Sequence, residues 1–159
     1  MQVPEGAMVE SQGLLVSYWI SAWSLETVQK FHTLFTEVKA RQPKGVAILM
    51  SFRTDAIDAR VFGHEPTRKE LMRLGATFDG FFRQSSIVIH GTGFVAAALR
   101  SSTWALTAVG VKRVPKYFDD VQDAARFIAM SSADLGVSKE TVVRADELAR
   151  TAALEFVVA

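Results

Sequence analysis

A glycine-flanked turn past the middle of the chain has the residue types of a phosphate-binding loop. A short apolar run ends at His90, and Gly91-Thr92-Gly93 then opens a long helical pattern. Together with Ala96, this turn matches the G-x-G-x-x-A form of a dinucleotide fingerprint. Small residues there let the backbone approach a phosphate, and the start of the helix supplies free amides. The chemistry that this pattern indicates is anion binding.

The position of the turn argues against a dinucleotide site. A dinucleotide-binding domain normally carries the fingerprint after its first strand, with an acidic residue about 20 positions further on. Here position 111 is valine, and helix capping explains the later Asp119 and Asp120. We therefore predict no cofactor, and interpret the turn as a tight strand-to-helix connection or a simple anion site.

A second set of polar residues is predicted at the same edge of the sheet as His90. The loop after the central apolar run contains Arg53, Asp55, Asp58 and His64. Loops that follow neighbouring parallel strands share one edge, so we expect these side chains to lie near His90. A histidine beside an aspartate can act as a general base, and histidine with carboxylates can bind a metal. The chain lacks both the H-E-x-x-H spacing and the G-x-S-x-G nucleophile elbow.

Two functional hypotheses follow from that edge. The first is a ligand-binding site without catalytic residues or a metal, formed by the loop from Arg53 to His64 and the turn after His90. The alternative is a small hydrolase-type or metal-assisted enzyme that uses His90 with Asp55 or Asp58.

A large aromatic residue lies outside the predicted inner face of the helix that follows the turn. On that helix Trp104 falls beside Ala97, Arg100 and Ala108, away from the residues that face the sheet. A tryptophan among small residues outside a core is typical of an interface. We interpret this surface as a self-association site that gives a homodimer, or as a surface that the C-terminal helix of the same chain covers.

Composition and charge place the chain among globular proteins. Hydrophobic residues make up 49% of the 159 residues, and 18 basic residues against 17 acidic give a net charge of +1. This balance favours a folded core and disfavours nucleic-acid binding. No cysteine is present, which excludes disulfides and cysteine-held metals. The chain shows no signal-peptide pattern, and no apolar run reaches the roughly 18 residues of a membrane span, so we expect a cytoplasmic protein.

The elements that must position these residues begin with a strand hairpin. Short apolar runs over 7–10 and 14–20 flank a turn and predict an antiparallel pair. Ser24 is placed to cap a helix over 25–41, whose apolar stripe covers one face of a sheet. The near-continuous apolar run over 46–52 is typical of a strand buried on both faces.

Helices and strands alternate after the central strand. Pro66 and the capping box Thr67-x-x-Glu70 predict a helix that ends near Phe82, followed by a buried strand over 87–89. The next helix is predicted over 92–109.

A basic strand over 111–117 follows, and Pro115 places it at the edge of the sheet. Asp119 and Asp120 cap another helix, and a last helix begins near Ser138. The residues predicted to face inward on this last helix are Val142, Ala145, Leu148, Ala149 and Ala152.

This order predicts an α/β fold. The mixed sheet has an N-terminal antiparallel hairpin and parallel core strands with helical crossovers, and an extra C-terminal helix follows. We predict a single domain over 1–159, with its core over 6–130 and a helical extension over 131–159.

From about residue 6 to residue 130 the pattern resembles the STAS-like group, which includes bacterial SpoIIAA-like domains. The similar segments are Leu14-Leu15-Val16-Ser17-Tyr18-Trp19, Gly45-Val46-Ala47-Ile48-Leu49-Met50, Gly93-Phe94 before Leu99-Arg100-Ser101, and Phe118-Asp119-Asp120-Val121-Gln122-Asp123-Ala124-Ala125. The resemblance implies a non-enzymatic regulatory or scaffolding module that binds a protein partner or a small anionic or apolar ligand.

The chain departs from the wider family at its phosphorylation site. In the anti-sigma antagonists of that family, a serine in an Asp-Ser-Ser-Gly motif after the central strand is phosphorylated. This chain reads Ser51-Phe52-Arg53-Thr54-Asp55-Ala56 at that place. No residue is therefore carried over as the switch serine.

Overall fold

One mixed sheet in chain order organises the molecule. The computed structural model of the protein describes residues 1–53, 64–91, 97 and 115–158. The strands of this part of the chain are β1 (Gln2–Val3), β2 (Gly6–Ser11), β3 (Leu14–Trp19), β4 (Val46–Arg53), β5 (Phe82–His90) and β6 (Lys116–Phe118). Its α-helices of more than one residue are α1 (Leu25–Arg41), α2 (Glu65–Thr77), α3 (Val121–Ser131) and α4 (Lys139–Val158). The predicted α/β class and its C-terminal helix are confirmed.

The N-terminal hairpin is antiparallel, and the following strands are parallel. β2 pairs with β1 and β3 in antiparallel register, and Val9 lies opposite Val16. Gly13 takes a φ of +70° in the turn, a conformation that side chains with a Cβ disfavour. From β3 onward each strand pairs in parallel with the next, so β6 lies at the edge, as its proline and charges predict.

The helices divide between the two faces of the sheet. When successive parallel strands are added toward the same side of a sheet, right-handed crossovers place the connecting helices on the same face. Accordingly α1 contacts α2, and the apolar residues of both pack with Leu15, Ile48 and Ile87. On the opposite face, α3 and α4 pack with each other and with Leu49 and Val88. The sheet is therefore buried on both sides.

The helix α1 begins and ends where its local signals predict. Ser24 is the N-cap, and its hydroxyl accepts a hydrogen bond from the Thr27 amide. The face that carries Phe31 and Phe35 is buried against the sheet.

The prediction for α2 is wrong at both ends. The N-cap is His64, and Thr67 is a buried residue inside the first turn instead of the cap. Because proline is compatible with the first turn of a helix, Pro66 lies within α2 and does not precede it. The helix ends at Thr77, and Phe82 already belongs to β5. This strand begins earlier than predicted, because its first half is only partly buried and lacks the continuous apolar pattern of a buried strand.

The inner face of α4 also differs from the prediction at one residue. Val142, Ala145 and Ala149 are buried, but Leu148 is 53% exposed. Asp146 and Ala153, which were not predicted to face inward, are buried on this helix instead. The predicted helix over 92–109 and the first residues of the predicted strand over 111–117 lie outside the described residues, apart from a helical Ala97.

Candidate functional site

The ends of β4 and β5 bring two of the predicted site residues together. The two parallel strands stay in register to their last residues, where Arg53 lies opposite His90. Both side chains are partly buried. Side chains alternate between the faces of a strand, so Arg53 and His90 share the face that also carries Ser51 and Val88. This face is the one that α3 and α4 cover.

A carboxylic acid from the C-terminal helix reaches the same face. Ser51 Oγ donates a hydrogen bond to Asp146 Oδ1 at 2.6 Å, and this bond joins β4 to α4. Ser51 is completely buried, and Asp146 is 6% exposed. Burying an ionised carboxylate is costly unless it is paired, so the hydrogen bond from Ser51 matters at this position.

Burial governs the protonation of both ionisable groups beneath the edge. It raises the pKa of the Asp146 carboxyl, against the opposing effects of the Ser51 hydrogen bond and the positive charges of His90 and Arg150. Burial also lowers the pKa of His90, while the negative charge of Asp146 opposes that shift. Each group is pushed toward its neutral form by its surroundings and toward its charged form by the other.

An aromatic ring from the hairpin completes the cluster. The ring of Tyr18, at the end of β3, lies with its centroid 5.7 Å from that of His90. Three neighbouring strands and α4 therefore position one polar cluster. We name it the carboxyl-edge site and define it by Tyr18, Ser51, Arg53, His90 and Asp146.

The carboxyl-edge site contains the chemical groups of a binding site. An arginine and a histidine end two neighbouring parallel strands, on the face that also carries the hydrogen-bonded Ser51 and Asp146, and parallel sheets usually bind ligands at this end. In the part of the chain that the structure describes, no group of three or more acidic or histidine side chains has an arrangement that could hold a metal ion.

The remaining predicted site residues are distributed as follows. His64 is exposed, and its Nδ1 forms a hydrogen bond with Thr67 Oγ1 at 2.9 Å within its own helix. Gly91 is exposed and adopts a φ of +133°, which explains a glycine directly after β5. Ala97 is helical and exposed. The predicted residues Asp55, Asp58, Thr92, Gly93, Arg100, Trp104 and Ala108 lie outside the described residues.

Asp146 is the site residue that our reading of the sequence missed. A signal for it exists in the spacing of α4. Asp146 follows Val142 by four residues and precedes Ala149 by three, so it lies within the apolar stripe and not on the solvent face. A charged residue at such a position must find a polar partner in the core. Ser51 is that partner.

A groove of about 650 Å³ lies at the opposite edge of the sheet. Its polar side chains bond to each other: Arg41 pairs with Glu10, and the Gln42 amide donates to Glu10 and to the Ser11 carbonyl. Near the rim, Arg83 pairs with Asp134 at 3.4 Å. The contacts of Arg41 and Gln42 fasten the end of α1 to the hairpin, and the Arg83–Asp134 pair joins β5 to the segment after α3.

Comparison of the chain with models of protein families, with curated proteins and with solved structures finds no significant match to any of them. Among the described residues, no helix has the length and apolar character needed to cross a membrane.

Proposed function

We propose that the chain is a non-catalytic, STAS-like regulatory or scaffolding module of the cytoplasm, which binds a protein partner and holds a small anion at the carboxyl-edge site. The observation that carries the proposal is the register of Arg53 beside His90 at the ends of two parallel strands. Loops after such strands are where ligands of α/β sheets bind.

The charge balance of the edge favours an anion over a cation. Arg53 carries a fixed positive charge, because a guanidinium stays protonated in proteins. Burial raises the pKa of Asp146, the buried acid on the same face, and so favours its neutral form. His90 supplies a donor in either tautomer and a second donor when it is protonated.

The architecture supports the STAS-like part of the proposal. The antiparallel hairpin leads into parallel strands, and Asp120 caps a helix that buries Ala124 and Ala125. These are among the features on which the resemblance depends. Because one fold can carry many functions, the binding role depends on the site and is tested there.

The test of the ligand site is an NMR titration of the full chain with inorganic phosphate. We expect saturable shifts at the His90 ring and the Arg53 amide. Arg53→Gln is expected to weaken binding about tenfold, since a charge-assisted hydrogen bond contributes about 1.5 kcal/mol or more. Arg83→Gln is the matched control, because it removes the same charge from the opposite end of β5. Absence of a saturable shift at the edge would overturn the proposal.

The same variants discriminate the enzymatic alternative. A small hydrolase-type or metal-assisted enzyme would use His90 with Asp55 or Asp58. Hydrolysis of p-nitrophenyl acetate or p-nitrophenyl phosphate is measured with and without added Zn²⁺. Turnover that is lost in His90→Gln but kept in His64→Gln would contradict the non-catalytic proposal. We expect both variants to match the wild-type chain at the background rate.

Self-association through the surface around Trp104 is the proposed mode of partner binding. We expect light scattering to show a homodimer for the wild-type chain and a monomer for Trp104→Glu. Phe127→Glu is the control for a general effect of adding a carboxylate, since Phe127 is a partly buried aromatic residue on α3. A monomeric wild-type chain, or a dimeric Trp104→Glu, would refute this surface.

A further inference from the structure

The face of α4 that packs on the sheet is apolar except at Asp146. The helix contacts β1, β2, β3 and α3. The small residues Val142, Ala145, Ala149 and Ala153 form the buried stripe, and each is at most 5% exposed. Among the described residues, Asp146 is the one buried side chain that belongs to an acid, a lysine, an arginine or a histidine. A carboxyl at this position therefore has to be accommodated within an apolar helix face.

The hydrogen bond from Ser51 connects this carboxyl to the centre of the sheet. It spans 95 positions of the chain and joins α4 to β4. Within β4, Ser51 lies between Leu49 and Arg53, whose side chains share its face. A second hydrogen bond between α4 and the sheet runs from Gln2 Nε2 to the Ala152 carbonyl, at 2.8 Å and in contact with solvent. Ser51 and Asp146 thus form the buried polar attachment of the helix.

The charges that act on Asp146 come from two elements. His90 of β5 faces it from the sheet, and Arg150 and Glu147 act from α4 itself. His90 is in turn influenced by Asp146, by Arg150 and by Asp120 at the start of α3. On the remaining element in this cluster, β3, Tyr18 packs against the His90 ring.

We propose that α4 is a proton-responsive latch on the carboxyl-edge site: the helix docks on the sheet with Asp146 buried against Ser51 while the carboxyl is protonated, and ionisation, which leaves a charge in this apolar interface, loosens the helix. Loosening removes Asp146 from Ser51 and uncovers the face of β3 that carries Tyr18, whose ring lies next to His90. The use of the latch to control an anion depends on the proposed function, whereas the docking of the helix does not.

The direction of the pH effect follows from burial. Docking raises the pKa of Asp146 above its ordinary value of about 3.9, so the stabilisation of docked α4 is complete below that value. It is lost as the pH rises through the raised pKa. Burial lowers the pKa of His90, so His90 has the opposite effect. Its contribution is complete above about pH 6.5 and is lost as the pH falls through the lowered pKa.

Backbone hydrogen exchange of the full chain, corrected for the intrinsic effect of pH, measures the docking of α4. In His90→Gln, where Asp146 acts alone, we expect protection of α4 relative to α1 to fall with rising pH, about tenfold for each unit by which docking raises the pKa. Asp146→Asn keeps an acceptor for Ser51. In this variant we expect the opposite pH dependence, with protection of α4 lost only at low pH, where His90 becomes protonated. In the double variant of Asp146→Asn and His90→Gln, we expect the protection of α4 not to change with pH.

Glu155→Gln is the matched control, because it removes an exposed carboxylate from the same helix and should leave the pH dependence unchanged. The latch is refuted if Asp146→Asn keeps the wild-type pH dependence, or if α4 and α1 lose protection together in His90→Gln. The exchange experiments use no ligand, so their outcome is independent of the phosphate titration. If the titration fails, only the proposed function is refuted. If the exchange experiment fails, only the latch is refuted.

Discussion

The indole Nε1 of Trp19 donates a hydrogen bond to Ser17 Oγ at 2.8 Å, and both side chains are completely buried. The two residues lie on the same face of β3, since side chains two positions apart in a strand point the same way. Around them, the rings of Trp23 and Phe31 make edge-on contacts with Trp19 at centroid distances of 5.4 and 5.5 Å. One hydroxyl thus satisfies the polar atom of the largest side chain in the core.

Removing that hydroxyl is expected to destabilise the fold. Ser17→Ala leaves the Trp19 N–H buried without its acceptor, which costs about 1–3 kcal/mol of the free energy of unfolding. Ser85→Ala is the control, because Ser85 is only partly buried on β5, and we expect it to cost less than about 0.5 kcal/mol. Urea unfolding measured by tryptophan fluorescence and circular dichroism compares the two. Equal losses would contradict the role given to the Ser17 hydroxyl.

The close approach of β2 to Trp19 predicts a second sensitive position. A Cβ added at Gly6 would lie 2.3 Å from the Tyr18 carbonyl oxygen and 2.6 Å from Trp19 Cε3. Gly6→Ala must therefore push the two strands apart, at a cost of about 3 kcal/mol. In Gly80→Ala the new Cβ meets open space, and the φ of +79° alone costs about 1 kcal/mol. Thermal unfolding that ranked Gly80→Ala as the more damaging change would contradict this packing.

How much could be predicted from the sequence depends on whether the decisive signals are local. The bounds of α1 follow from Ser24 and from the proline and glycine after its last turn, all within a few residues of the ends. The strand ends that bring Arg53 to His90 follow from a general rule about parallel sheets. Asp146 could not be assigned to that site, because its partner Ser51 is 95 positions away and depends on the face on which α4 docks.

The wrong prediction for α2 has a similar cause. Thr67 and Glu70 have the spacing of a capping box, but that pattern says nothing about side chains from other elements. In the structure the Glu70 carboxylate accepts a hydrogen bond from Arg73, and its Oε1 lies 3.2 Å from Nε2 of His32 on α1. The Thr67 hydroxyl forms a hydrogen bond with the His64 ring. Contacts within the turn and with the neighbouring helix therefore occupy the residues that the pattern assigned to a cap.

Glu5 predicts a pH dependence at the start of α1. Its carboxylate accepts hydrogen bonds from Thr27 Oγ1 at 2.8 Å and from the Ser24 amide at 3.3 Å. Burial raises the pKa of Glu5, but these hydrogen bonds outweigh it and the pKa is lowered overall. The stabilisation is therefore complete above the ordinary value of about 4.3 and is lost as the pH falls through the lowered pKa.

The variant Glu5→Gln tests this direction. Near pH 7 it is expected to lose about 1 kcal/mol of the free energy of unfolding, because a charge-assisted hydrogen bond at a helix N-terminus is replaced by a neutral one. The difference from the wild-type chain should disappear at a pH below the lowered pKa of Glu5. Urea unfolding at both pH values provides the measurement, with Glu155→Gln as the control. A difference that stays constant with pH would show that Glu5 acts through packing alone.

The rotation of α4 on the sheet predicts opposite outcomes at two adjacent residues. Ala149 is completely buried against the sheet, whereas Leu148 is 53% exposed. Ala149→Leu adds three carbon atoms to a closed interface and is expected to cost about 1–3 kcal/mol. Leu148→Gln keeps helix propensity and is expected to change the stability by less than about 0.5 kcal/mol. The free energy of unfolding of each variant is measured at a pH where the wild-type helix is docked. If Leu148→Gln were the more damaging change, α4 would be rotated by about 100° from the orientation that buries Asp146, since successive residues of a helix differ by that angle.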